Sequence, residues 1–147
     1  MATETKLRQL ADKGCPVYYF YSSERYLVRQ AVTAITRILT ADSDEDATVL
    51  DGAAPEIEQL IMAAGTISFF GTRRVVVLPE IDPAAYSDKD LEELNSTLSS
   101  LENAVVVLGS VFELERSKLK TGKRAQKLIA QCKALGYTEE LAKPKPL

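Results

Sequence analysis

At 147 residues, with 46% hydrophobic and 27% charged side chains, the chain has ordinary globular composition and the length for one domain with one sizeable core. Its net charge of −3 excludes a domain that draws nucleic acid or acidic membrane through its overall field. The absence of histidine excludes a Ser-His-Asp triad, a Cys-His pair, His-ligated zinc and imidazole acid/base chemistry, so catalysis would rest on carboxylates, lysines or a bound nucleotide.

The first residues, MATETKLRQLADKG, have no apolar core of signal-peptide type, and no run approaches membrane-spanning length. A cytoplasmic protein without membrane contact is expected. Cys15 and Cys132 lie far apart in the sequence and form no ligand cluster, which fits reduced, buried thiols.

PVYYFY (16–21) reads as a strand and SERYLVRQAVTAITRIL (23–39) as a helix, with Leu27, Ala31, Ala34, Ile35 and Ile38 on one face and Ser23 as the expected cap. ATVLDG (47–52) reads as a second strand. In PEIEQLIMAAG, which follows, Ile57, Leu60, Ile61 and Ala64 define the buried side of a helix with Pro55 near its start. RRVVVLP (73–79) is a β-branched run, as in a strand buried on both faces. YSDKDLEELNSTLSSL (86–101) is helical, with Leu91, Leu94, Leu98 and Leu101 on one side, and NAVVVLGS (103–110) is a fourth strand. A basic amphipathic helix is expected over ERSKLKTGKRAQKLIAQCK, with Leu128, Ile129, Cys132 and Leu135 inward, then an edge strand at GYTEEL (136–141). Strands separated by helices imply an α/β fold, a mainly parallel sheet with helices on both faces. Residues 1–141 are expected to form the domain, with the proline- and lysine-rich residues 142–147 beginning a linker to a further part.

Such sheets often hold a phosphate loop after the first strand, built from glycines, a lysine and a magnesium-binding hydroxyl. The turn here is YSSERYLV (21–28); no glycine or lysine occurs between Cys15 and Asp51, and Glu24 would oppose phosphate. After the third strand, VVVLPEID offers no adjacent pair of acids, and the Gly-Lys at 122–123 has Ser117 where the first loop glycine belongs. No nucleotide or other cofactor is expected. Asp51 at a strand end invites comparison with a phospho-acceptor, but the sequence offers too few acids around it, and Asp51-Gly52 reads as a turn.

The segment TISFFGTRR (66–74) places Phe69 and Phe70 at the end of the third helical pattern. Continued at helical pitch, both rings would lie roughly 130° from the centre of the Ile57/Leu60/Ile61/Ala64 face, one on each side. They serve either as anchors for a partner or as core residues at a helix end where the chain bends; periodicity leaves both open. Arg73 and Arg74 either rim that patch or begin the next strand. The cations Lys118, Lys120, Lys123, Arg124 and Lys127 read as a solvated face or as phosphate contacts.

An aromatic strand running into S-x-E-x-Y-L (Ser22 to Leu27), a long helix, and T-x-S-F-F-G-x-R-R before a valine-rich strand resembles the first domain of the delta subunit of DNA polymerase III. The resemblance runs from about Pro16 to the chain's end. It implies an AAA+/P-loop-NTPase-like domain lacking a functional phosphate loop, a non-catalytic clamp-loader subunit that binds and helps open the beta sliding clamp. It also implies other clamp-loader subunits as partners, with DNA met through the assembled complex. The family's clamp-binding positions fall on Ile67, Phe69 and Phe70, with Ser68 between them; Phe69 departs from a frequent leucine.

Overall fold

The computed structural model describes residues 3–43, 45–65 and 73–142. In chain order they form α1 (Glu4–Asp12), β1 (Val17–Ser22), α2 (Arg25–Thr40), β2 (Thr48–Val49), α3 (Ile57–Gly65), β3 (Arg74–Leu78), α4 (Asp88–Ser99), β4 (Ala104–Val111), β5 (Leu114–Glu115), β6 (Lys118–Leu119), α5 (Gly122–Leu135) and β7 (Tyr137–Glu140). Five strands make one sheet in the order β2-β3-β4-β1-β7, with every neighbour parallel.

Because side chains alternate across a strand, each central strand feeds two cores. Val17, Tyr19, Val76, Leu78, Val106 and Leu108 point to the side covered by α3, α4 and α5, where they meet Leu60, Leu94 and Leu128. Tyr18, Phe20, Val75, Val77, Val105 and Val107 point to the other side, where α1 and α2 supply Leu7, Leu27, Val28, Ala31 and Ile35. The sheet is therefore covered on both faces, as the uninterrupted apolar runs predict.

Local chemistry sets the helix starts. The Thr3 and Ser87 hydroxyls accept the Lys6 and Asp90 amides at the heads of α1 and α4. The expected Ser23 cap of α2 does not form. Glu24 holds that position without a side-chain cap, and the Ser22 hydroxyl instead accepts the Glu24 amide at 3.0 Å. At Asp51-Gly52 the chain turns, with Gly52 at φ 108° and Asp51 exposed.

Two further expectations are corrected. The region expected as one basic helix from Glu115 begins as the antiparallel hairpin β5–β6, and α5 starts only at Gly122. Arg116 and Ser117 both take positive φ (52° and 68°), as a two-residue hairpin turn requires. Lys118 and Lys120 therefore belong to the hairpin and the turn after it, not to the helix that carries Lys123, Arg124 and Lys127. On α3, Ile57 and Leu60 are buried, but Ile61 is 51% exposed, and Ala63 joins Ala64 against the core.

Burial holds several acids in their neutral form. The Cys132 thiol is pushed up to about 12 by burial, and Tyr86 to about 12 by burial and the nearby Asp90. Burial also raises Tyr19, against the opposing effect of its hydrogen bond with Ser110. In the unfolded chain these groups ionise near about 8.5–10. Their folded pKa values are higher, so their contribution is fully present below that range and lost as pH climbs towards 12. The melting temperature is expected to hold steady to about pH 8.5 and then fall progressively; a calorimetric pH series checks this.

Candidate functional site

Two places bear on function: the carboxyl end of the central strands and the region around α3. At the first, the turn from β1 into α2 contains Ser22, Ser23, Glu24 and Arg25. Ser22 is wholly buried; its hydroxyl donates to the Leu141 carbonyl at 2.6 Å while accepting from Glu24. The Arg25 guanidinium reaches Glu80, just beyond β3, at 2.6 Å. The space between these strand ends, where a phosphate loop and a magnesium-binding acid would face each other, is thus bridged by an ion pair of the protein's own.

The floor of that place is also closed. Ile81 donates its amide to Gly109 at 2.8 Å, and Ser110 donates to the Ile81 carbonyl at 2.8 Å. Tyr19 completes the chain, 2.6 Å from the Ser110 hydroxyl. A Cβ at Gly109 would run into the Pro79 carbonyl and lie 2.8 Å from Val28, so only glycine allows β4 this close to the exit from β3. The Gly122-Lys123 pair begins α5 behind the hairpin. Among the described residues no group of three or more His, Cys, Asp or Glu side chains could hold a metal ion.

At the second place, Ile67, Ser68, Phe69 and Phe70 lie outside the described residues. The residues that flank them do not. α3 leads towards them with Ile61 and Met62 exposed, at 51% and 67%. Beside α3 an open groove is lined by Ile61, Ala64, Ser96, Ser100, Leu101 and Asn103, apolar on the α3 side and largely polar towards α4. Beyond the segment, Arg73 donates to the carbonyls of Gly14 (3.2 Å) and Ala104 (3.4 Å). Arg74 opens β3 and is clamped by Glu45 at 2.7 Å and Thr48 at 3.1 Å. Both arginines are tied into the domain, in keeping with the strand-start reading. Sequence reasoning missed the Arg25–Glu80 bridge, since nothing local signals a contact across 55 positions.

The parallel sheet order and its helix-covered faces define an AAA+-like α/β fold, and its first turn has no phosphate-loop glycine or lysine. Consistent with this, 98% of the chain superposes on 47% of a DNA polymerase III gamma subunit-related protein from Thermotoga maritima, with a TM-score of 0.67 at 14% identity, a likeness of fold. Residues 18–135 match the family described as DNA polymerase III, delta subunit, and the chain belongs to that family. It is also 28% identical over 137 residues, 84% of its length, to the DNA polymerase III subunit delta of Bacillus subtilis, of which it spans 39%. Among the described residues no helix is long and apolar enough to cross a membrane.

Proposed function

We propose that this chain is the clamp-binding domain of a delta-type subunit, which binds the beta sliding clamp and helps open it for loading onto primed DNA. Residues 1–141 form that domain, and residues 142–147 begin the linker to the rest of a cytoplasmic, longer subunit. Ile67, Ser68, Phe69 and Phe70 are the proposed contact residues. The observation that carries the reading is the family match, whose span of residues 18–135 includes this segment. The exposed Ile61 and Met62 leading into it support an outward apolar surface on that side of the domain.

The proposed mechanism is thermodynamic. A subunit that binds an open or distorted ring better than a closed one shifts the ring towards opening, by no more than that difference in affinity. The reading requires no chemistry in this domain: as the family resemblance implies, nucleotide hydrolysis falls to partner subunits of the loader, and DNA is met in the assembled complex.

The test is calorimetric binding of the subunit to its cognate sliding clamp, wild type beside Phe69→Ala/Phe70→Ala. The two proteins must first match in circular dichroism and melting. Each ring buried in a partner contributes about 1.5–3 kcal/mol, so the double variant is expected to weaken binding by several kcal/mol. A folded double variant that binds as well as wild type would remove the segment from the interface, and saturable ATP binding by this domain would overturn the non-catalytic reading.

A further inference from the structure

We infer that the outward face of α2 binds the phosphodiester backbone of duplex DNA. The inference is independent of the clamp-binding segment. Helix α2 carries Arg25, Arg29 and Arg37 and no acid, in a chain whose net charge is −3. Its inward side is spent on Leu27, Val28, Ala31, Val32 and Ile35. At helical pitch, Tyr26, Arg29, Gln30, Thr33 and Arg37 fall within an arc of about 100° on the opposite side. All five are exposed, Tyr26 by 52%, and they line one shallow depression of about 380 Å³ together with Ala34.

The arginines on this helix differ in use. Arg25 is held by Glu80 at the helix start, whereas Arg29 and Arg37 take part in no ion pair among the described residues. Elsewhere Arg8, Arg74 and Arg124 are each matched to a carboxylate. The fold therefore matches neither Arg29 nor Arg37 to a carboxylate, and only Arg37, in the last turn of α2, gains from the helix dipole. Both are arginines rather than lysines, and a planar fork of donors suits phosphate oxygens.

Composition favours DNA over an acidic protein as the occupant. The face consists of arginine, glutamine, threonine and tyrosine, the side chains that supply contacts to phosphate and sugar. A protein interface of useful strength has an apolar, desolvated centre, and the apolar side chains of this face are only Tyr26 and the half-buried Ala34. Arg29 and Arg37 stand about 12 Å apart along the axis, with Gln30 and Thr33 between them as neutral donors. Such a stripe follows a regular polyanion and reads no base, so binding is independent of sequence and falls steeply with salt.

The test uses the full-length subunit and a fluorescently labelled primer–template duplex, with anisotropy followed over a salt titration. Arg29→Gln/Arg37→Gln is compared with wild type and with Lys123→Gln/Lys127→Gln. The arginine variant is expected to lower the magnitude of the log–log salt slope by about 2 and the affinity roughly 10- to 50-fold near 0.1 M salt, with the lysine variant close to wild type. Unchanged duplex binding by the arginine variant overturns the inference, as does an equal loss in both variants. Loss of poly-glutamate binding with duplex binding intact also overturns it, and reassigns the face to an acidic protein. Phe69→Ala/Phe70→Ala is expected to bind the duplex like wild type, which separates this surface from the proposed clamp contact.

Discussion

Gly136→Ala is expected to destabilise the domain by about 3 kcal/mol or more, a larger effect than its single added methyl suggests. Gly136 is the one residue between α5 and β7. A Cβ there would overlap the Val17 carbonyl oxygen and lie 2.9 Å from the carbonyl carbon and 3.0 Å from the Val17 nitrogen. These are backbone atoms of a strand held on both edges, by β4 and by β7, so they cannot swing aside as a side chain would. Relief requires β7 to move off β1, which would break the Leu141 amide's bond to Tyr21 and the Ser22 bond to Leu141. Thermal unfolding of the variant is expected to occur roughly 10 °C lower, at about 2–4 °C per kcal/mol for a domain of this size. Gly65→Ala is the control: nothing lies within 4 Å of a Cβ there, and alanine in a helix is neutral or stabilising by up to about 1 kcal/mol. Equal losses in both variants would sink the packing argument.

The strands were legible because burial on both faces leaves a mark that needs no partner to read. The valines of β3 and β4 have no polar alternation to obscure, and their bounds shift by only a residue or so from those expected. Even the edge strand at Tyr137–Glu140 could be read from its place after a helix end. The N-terminal helix was not foreseen, because α1 is only nine residues long and turns just Leu7 and, partly, Leu10 to the core, so few apolar positions mark its inner face. The β5–β6 hairpin was hidden for a different reason. Its strands are two residues each, and its turn uses Arg-Ser where Asn-Gly would have announced it. Sheet order was beyond local reading altogether, as it depends on which strands each helix crosses.

The candidate site divides in the same way. The lack of glycine and lysine in the first turn was visible directly, whereas the Arg25–Glu80 bridge beside it was not. For Ile67 to Phe70 the residues alone left partner and core readings open; the resemblance to the delta family, not the periodicity, selected between them. Ile61 shows why periodicity could not. Placing it with Ile57, Leu60 and Ala64 set the buried face too far round the helix, because one turn supplies apolar residues on both sides and alanine carries little weight in such a reading.

That misplacement supplies the last prediction. Leu60→Ala is expected to cost about 2–5 kcal/mol, for Leu60 is 1% exposed within the core shared by α3, α4 and the sheet. Ile61→Ala, one residue on and 51% exposed, is expected to cost no more than about 1 kcal/mol. Had the face been centred as the spacing suggests, the two would be comparable. Denaturant titration of both variants, with unchanged m-values, measures the difference directly. The orientation matters beyond stability, since α3 carries the chain towards Phe69 and Phe70. With its core face centred near Leu60, the Ile61–Met62 side turns to solvent, and on the proposed reading Ile61 extends the apolar contact of residues 67–70. On the proposed reading, Ile61→Ala therefore weakens clamp binding while leaving the fold almost intact, and Leu60→Ala does the reverse per folded molecule. A clamp affinity indifferent to Ile61 confines the contact to the segment beyond Gly65.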